Sequence, residues 1–170
     1  TFPMAGMIVS TYLLRILPTS MSIIAQTLWW FAFLLDVGLI IYFTKNYVQT
    51  KPRTNATPSW TVLYVGIAVA SLTYPVVGIV EIAYGAWIFG FTLTLYLYPL
   101  IYQDLKSNPL PWALLGQEGI YCAPFSLLLA ALVRIGGSGL HGWILLVMIL
   151  ASQTFFFFVL SRLPNILKQG

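Results

Sequence analysis

Few side chains in this sequence could do chemistry. It holds one histidine, His141, one cysteine, Cys122, and four carboxylates, of which Asp36 and Glu118 fall inside long apolar runs. A nucleophile needs a base within hydrogen-bond reach, and a metal site needs several ligands brought together. His141 stands alone in a glycine-rich stretch, Cys122 has no second cysteine to pair with, and neither Gly-x-Ser-x-Gly nor His-Glu-x-x-His occurs. An enzyme is therefore not expected, nor a metal site, and no cofactor is implied. The two carboxylates within apolar runs would each cost several kcal/mol if charged in hydrocarbon, so each must be neutral, paired or hydrated.

The elements that carry these residues are set by composition. Hydrophobic residues make up 59% of the 170 and charged ones only 7%, far below the roughly 25% of a soluble domain. The chain reads as an all-α membrane protein. Apolar runs between breakers predict six transmembrane helices, at about 2–17, 20–48, 59–77, 80–104, 111–135 and 140–163. Pro18, the polar run 49–58, the stretch from Pro75 to Gly78, Lys106 to Pro111 and the glycines 136–139 divide them. The first run lacks a basic leader and a cleavage site, so it is read as structure rather than as a signal peptide.

An even number of spans puts both ends of the segment on one side. That side collects Lys45, Lys51, Arg53, Lys106, Arg162 and Lys168, leaving Arg15 and Arg134 on the other. Loops rich in Lys and Arg stay in the cytoplasm, so both ends are expected there, in a multi-pass protein of the cell membrane with Arg15, Arg134 and His141 outside. The formal charge of +4 is then an orientation signal spread between spans and not a nucleic-acid footprint. Trp60, Tyr47, Trp112 and Trp143 fall near span ends, where amphipathic rings anchor at the headgroups.

The spans are of two kinds. Two, four and six are bulky all round, as in Trp29-Trp-Phe-Ala-Phe33 and Phe155-Phe-Phe-Phe158. One, three and five carry small residues at helical spacing: Pro3, Gly6 and Ser10; Gly66, Ala70 and Thr73; Gly116, Gly119, Ala123, Ser126 and Ala130. This alternation suggests three helical hairpins with odd members inside and even members outside. A small stripe lets two backbones approach closely, or it leaves a channel in which hydroxyls and freed carbonyls meet an ion. Pro124 is expected to kink span five and free the carbonyl near Ile120. Pore-lining candidates are thus Pro3, Gly6, Ser10, Gly66, Ala70, Thr73, Gly116, Gly119, Ala123, Pro124 and Ser126.

Four segments, in order, carry a resemblance: Phe2-Pro-Met-Ala-Gly-Met-Ile, Pro58-Ser-Trp-Thr-Val-Leu-Tyr-Val-Gly-Ile-Ala-Val-Ala-Ser-Leu-Thr73, Ala123-Pro-Phe-Ser-Leu-Leu-Leu-Ala-Ala131 and Phe158-Val-Leu-Ser-Arg-Leu-Pro-Asn-Ile-Leu167. Together they resemble helices three, five, seven and eight of the tellurite-resistance/dicarboxylate transporter family, which includes the plant guard-cell slow anion channel. The resemblance implies five hairpins around one pore, with this chain supplying helices three to eight of ten. It implies both termini in the cytoplasm, a trimer, and small anions as partners beside membrane lipid: C4-dicarboxylates such as malate, sulfite, or inorganic anions. The phenylalanine that plugs the pore of relatives resembles a residue of a ninth helix, which this chain lacks, so no gate is assigned.

Within that reading Glu118 conflicts with a simple anion pore, because a charged carboxylate repels the passenger. A Glu118 that takes up a proton as substrate enters, in coupled permeation, would resolve the conflict; a Glu118 turned off the stripe toward a polar partner would too. Arg15 and Arg134 either snorkel to headgroups or concentrate anions at the outer mouth. The alternative from another class is a membrane scaffold, with the aromatic spans as partner surfaces and no ion flux.

Overall fold

In lipid every backbone N–H and C=O must be satisfied within the span, which leaves the helix as the available form for a chain with this pattern. The computed structural model describes residues 2–49, 57–107, 117 and 119–169, and among these every regular element is a helix. The main helices are α1 (Phe2–Ile16), α2 (Ser22–Phe43), α3 (Ser59–Gly66), α4 (Ala68–Thr73), α5 (Val80–Ser107), α6 (Ala123–Gly136) and α7 (Gly142–Gln169). The polar run 50–56 lies outside the described residues, as do Trp112 and Gly116.

Among the described residues five stretches are long and apolar enough to cross a bilayer: Ser22–Val48, Ser59–Val76, Val80–Ser107, Gly119–Gly136 and Gly142–Ser161. Helix α1, with 15 residues, rises only about 22 Å at 1.5 Å per residue. Span three is one crossing made of two helices, α3 and α4, separated at Ile67, where the Ala70 N–H reaches back only three residues to the Ile67 carbonyl at 2.9 Å. Gly78, at φ +75°, turns the chain out of span three, and Gly137, at φ +50°, ends α6; both are left-handed positions that a Cβ would strain.

The helices pack as hairpins joined through their odd members. Helix α2 packs along α1, α5 along both halves of span three, and α7 on α6, while α4 also touches α1 on one side and α6 on the other. Span three therefore runs through the middle, with α1 and α6 flanking it and α2, α5 and α7 outside. Small residues set the approach. A Cβ on Gly6 would stand 3.0 Å from the Ala32 Cβ, and one on Gly66 would overlap the Met4 thioether. A Cβ on Gly90 would meet that of Ala68 at 3.5 Å.

Several seams also carry a polar tie, suited to a medium that gives no hydrophobic drive between helices. The Trp29 indole donates to the Thr73 hydroxyl (2.7 Å), Ser71 to the Ala83 carbonyl (2.7 Å), Trp87 to the Leu128 carbonyl (2.8 Å) and Tyr98 to the Tyr121 carbonyl (2.5 Å). Stacked rings close the far end of this seam: Tyr98 on Phe155 at 4.8 Å and Phe125 on Phe155 at 4.9 Å.

Two sequence expectations differ from the structure. Trp60 is no interface anchor: it is buried in the core, its ring edge-on to Phe43 at 5.2 Å, because α3 begins beneath the end of α2. Trp143 is exposed, as an anchor must be. Pro124 does not kink a continuous α-helix. It sits in the first turn of α6, after a 3-10 stretch covering Gly119 to Cys122, where its missing N–H costs no hydrogen bond.

Candidate functional site

One end of the bundle gathers the last turn of α1, the end of span three, the start of α5 and the end of α6, and with them Arg15, Glu81, Arg134 and His141. Two of these charges converge. A cavity of about 390 Å³ is walled by Thr11, Tyr12 and Arg15 of α1, by Leu72, Thr73 and Pro75 at the end of span three, and by Arg134 of α6. Helical spacing brings them there: Tyr12 and Arg15 lie three apart on one exposed face of α1, and Arg134 continues the small stripe of α6 by one more turn from Ala130.

No carboxylate lines this cavity, and among the described residues neither guanidinium has a carboxylate partner. Thr11 spends its proton on the Ile8 carbonyl at 2.6 Å, and Thr73 spends its own on the Val69 carbonyl at 2.8 Å while accepting from the Trp29 indole, so neither hydroxyl offers a proton to the cavity. The donors that remain are the two guanidinium forks and the Tyr12 phenol. A cavity lined by two cationic donor groups, with no carboxylate among its described lining residues, draws anions.

The sequence-derived candidates divide by place. Pro3 and Ser10 are buried, the Ser10 hydroxyl bonded to the Met7 carbonyl at 2.6 Å, and Gly6 sits against Ala32. Gly66, Ala70 and Thr73 are buried where span three meets its neighbours, and Thr73 alone also reaches the two-arginine cavity. On span five the stripe is open: Ala123, Ser126 and Ala130 are exposed, and nothing stands within 4 Å of a Cβ built on Gly119. Ser126 shares a 2.8 Å hydrogen bond with Ser152 of α7, while Pro124 is buried. Gly116 and Glu118 lie outside the described residues.

Asp36 lies on the inward face of α2, in the buried series Ala25, Trp29, Ala32, Asp36 and Ile40. It is 0% exposed, and neither carboxylate oxygen has a hydrogen-bond partner. Cys122 donates its thiol to the Gly119 carbonyl at 3.1 Å, and among the described residues no three His, Cys, Asp or Glu side chains gather as metal ligands. The meeting of Arg15 with Arg134 is what sequence reasoning left unresolved. Their shared side of the membrane was visible, but not that the two helices line one cavity with the end of span three.

No individually curated protein matches the chain. A profile of the family described as voltage-dependent anion channel, SLAC1, matches residues 1–165, nearly the whole sequence. An all-helical bundle of membrane-crossing length, an inner row of small-residue helices and a cavity lined by two arginines agree with that match, and the chain belongs to the voltage-dependent anion channel family.

Proposed function

We propose that this chain forms part of a pathway by which small anions cross a bilayer, running along its inner helices and opening at the cavity of Arg15 and Arg134. The family supports anion transport in general. The observation that carries the reading for this chain is the convergence of two guanidinium groups from different helices on one cavity without a carboxylate. Such a mouth raises the local concentration of anions ahead of a narrower path.

The path beyond the mouth is the open stripe of span five, Gly119, Ala123, Ser126 and Ala130, which leads directly to Arg134. Gly66 serves it by letting α1 lie close on span three, Gly6 by letting α1 lie close on α2, and Thr73 by tying span three to α2 through Trp29. The passengers are C4-dicarboxylates, sulfite or inorganic anions, moved by a channel or a permease; Glu118 is the candidate for proton coupling. The chain supplies three hairpins of a five-hairpin pore, three of which assemble as a trimer in the cell membrane, with both ends of this segment in the cytoplasm and the two arginines outside.

The test is flux of chloride, sulfite and malate through the complete protein in liposomes at two pH values, beside Glu118→Gln. Flux that is electrogenic and indifferent to pH makes the protein a channel in which Glu118 is structural. Uptake driven by pH and lost in Glu118→Gln makes it a coupled permease. No flux of any anion would sink the transport reading and leave a scaffold.

A further inference from the structure

The two-arginine cavity has a chemistry more specific than attraction. Its walls hold Arg15 and Arg134, whose forks each offer up to five N–H donors in a plane, and the Tyr12 phenol, which is exposed to the cavity. The hydroxyls of Thr11 and Thr73, being turned to their own helix carbonyls, give a bound anion nothing. The charge of the walls is therefore twice positive, with no counter-charge among the lining residues. A halide has a single charge and no oxygen edge to match a fork. It can bridge the two forks but cancels only one of their two charges. A doubly charged oxyanion accepts from both forks at once, each through a pair of parallel hydrogen bonds, and cancels both charges.

The volume agrees. About 390 Å³ corresponds to roughly a dozen waters at some 30 Å³ each, room for an oxyanion that keeps part of its hydration. The site stands at a helix-end level of the bundle, so two sources can present this chemistry: a free dianion from solution, or the phosphate of an anionic lipid headgroup.

Resting on the anion-transport reading of the same cavity, we infer that Arg15 and Arg134 together form a binding site for doubly charged oxyanions that discriminates against halide. Arg15 comes from the α1 side of span three and Arg134 from the α6 side, so the site exists only while the three inner elements are packed together. Dianion binding accordingly stabilises their packing, since any ligand that binds only the folded arrangement does so.

Two measurements on the complete protein test this. In phosphatidylcholine liposomes, chloride flux is followed against added sulfate at constant ionic strength, because simple screening must be held fixed. Sulfate is expected to inhibit the wild type, and the sulfate concentration that halves each protein's own uninhibited flux is expected to rise about tenfold or more in Arg15→Gln and in Arg134→Gln, with Arg134→Lys in between. In detergent, the melting temperature is expected to rise with sulfate in the wild type and to stay flat in both glutamine variants.

Repeating the flux assay with phosphatidic acid in the membrane separates the sources. Sulfate inhibition that holds in its presence means a site for the free dianion, and inhibition that weakens as phosphatidic acid increases means a headgroup phosphate competes for the same two arginines; either supports the site. Chloride flux with no sulfate effect, or with an effect that both variants retain, overturns it. If no anion moves at all, the transport reading fails, while the melting measurement still decides whether the two arginines bind a dianion.

Discussion

Span three and α7 are both apolar helices, and their fates are opposite. Of the residues in span three 67% are buried, against 6% in an 18-residue apolar stretch of α7, yet that last span is the most apolar of the five and span three the least. In water that order would be reversed, because the most apolar helix gains most from burial. In a bilayer, lipid tails solvate leucine and phenylalanine as well as another helix does, so burial goes to the helix whose surface allows close approach. Span three has that surface: Gly66, Ala68, Ala70, Ser71 and Thr73 are all buried, two of them with hydroxyls that reach neighbouring carbonyls or indoles. Phe156 and Phe157 of α7 are exposed and can face lipid without penalty.

Substitutions can break this contrast. The largest effect is expected from Trp29→Ala, which removes a fully buried ring packed beside span three and the hydrogen bond to Thr73. A loss of about 3 kcal/mol is expected, as for large-to-small changes in cores, read as a fall in the unfolding midpoint in detergent. Ala70→Leu should follow, at about 2 kcal/mol, because Ala70 is 0% exposed and the added methyl groups must push helices apart. A tolerated leucine there would mean that span three is less tightly enclosed than its burial indicates.

Asp36→Asn sharpens the comparison. It keeps the shape of a buried side chain that has no partner and holds it neutral, with the amide as unpartnered as the carboxyl was, so stability should hold within about 1 kcal/mol. A larger fall would reveal a partner that the carboxylate needs. Smallest of all is Phe157→Leu on α7, expected to stay within about 0.5 kcal/mol because the ring is 61% exposed and lipid replaces its contacts. If that change cost as much as Ala70→Leu, α7 would have to be covered by protein in the assembled molecule.

The division into small-striped inner spans and bulky outer spans was legible in part: the rings of Trp29-Trp-Phe-Ala-Phe33 and Phe155-Phe-Phe-Phe158 mark outer spans, but the close approach of α1 to α2 at Ala32 and of span three to α5 at Gly90 was not visible. What the stripes do was not legible. Gly66 and Gly119 are the same residue at equivalent places in odd spans, yet the first is covered by Met4 and the second stands open. Residue type fixes how near a neighbour can come, and only the packing of hairpins decides whether a neighbour is there. Pro124 shows the same limit: a proline in an apolar run reads as a kink, but the backbone before it had already left the α form, so the ring starts a helix instead of bending one. Arg15 and Arg134 are 119 positions apart in the chain, and no local pattern ties them together.

The ring stack of Tyr98, Phe125 and Phe155 crosses the boundary between two hairpins, since Tyr98 belongs to α5 and the other two to α6 and α7. Chains enter the bilayer from the N-terminus as they are made, so Tyr98 emerges ahead of both phenylalanines. The last hairpin then arrives at a waiting aromatic plate that fixes its rotation about the membrane normal, and the order of synthesis becomes the order of assembly.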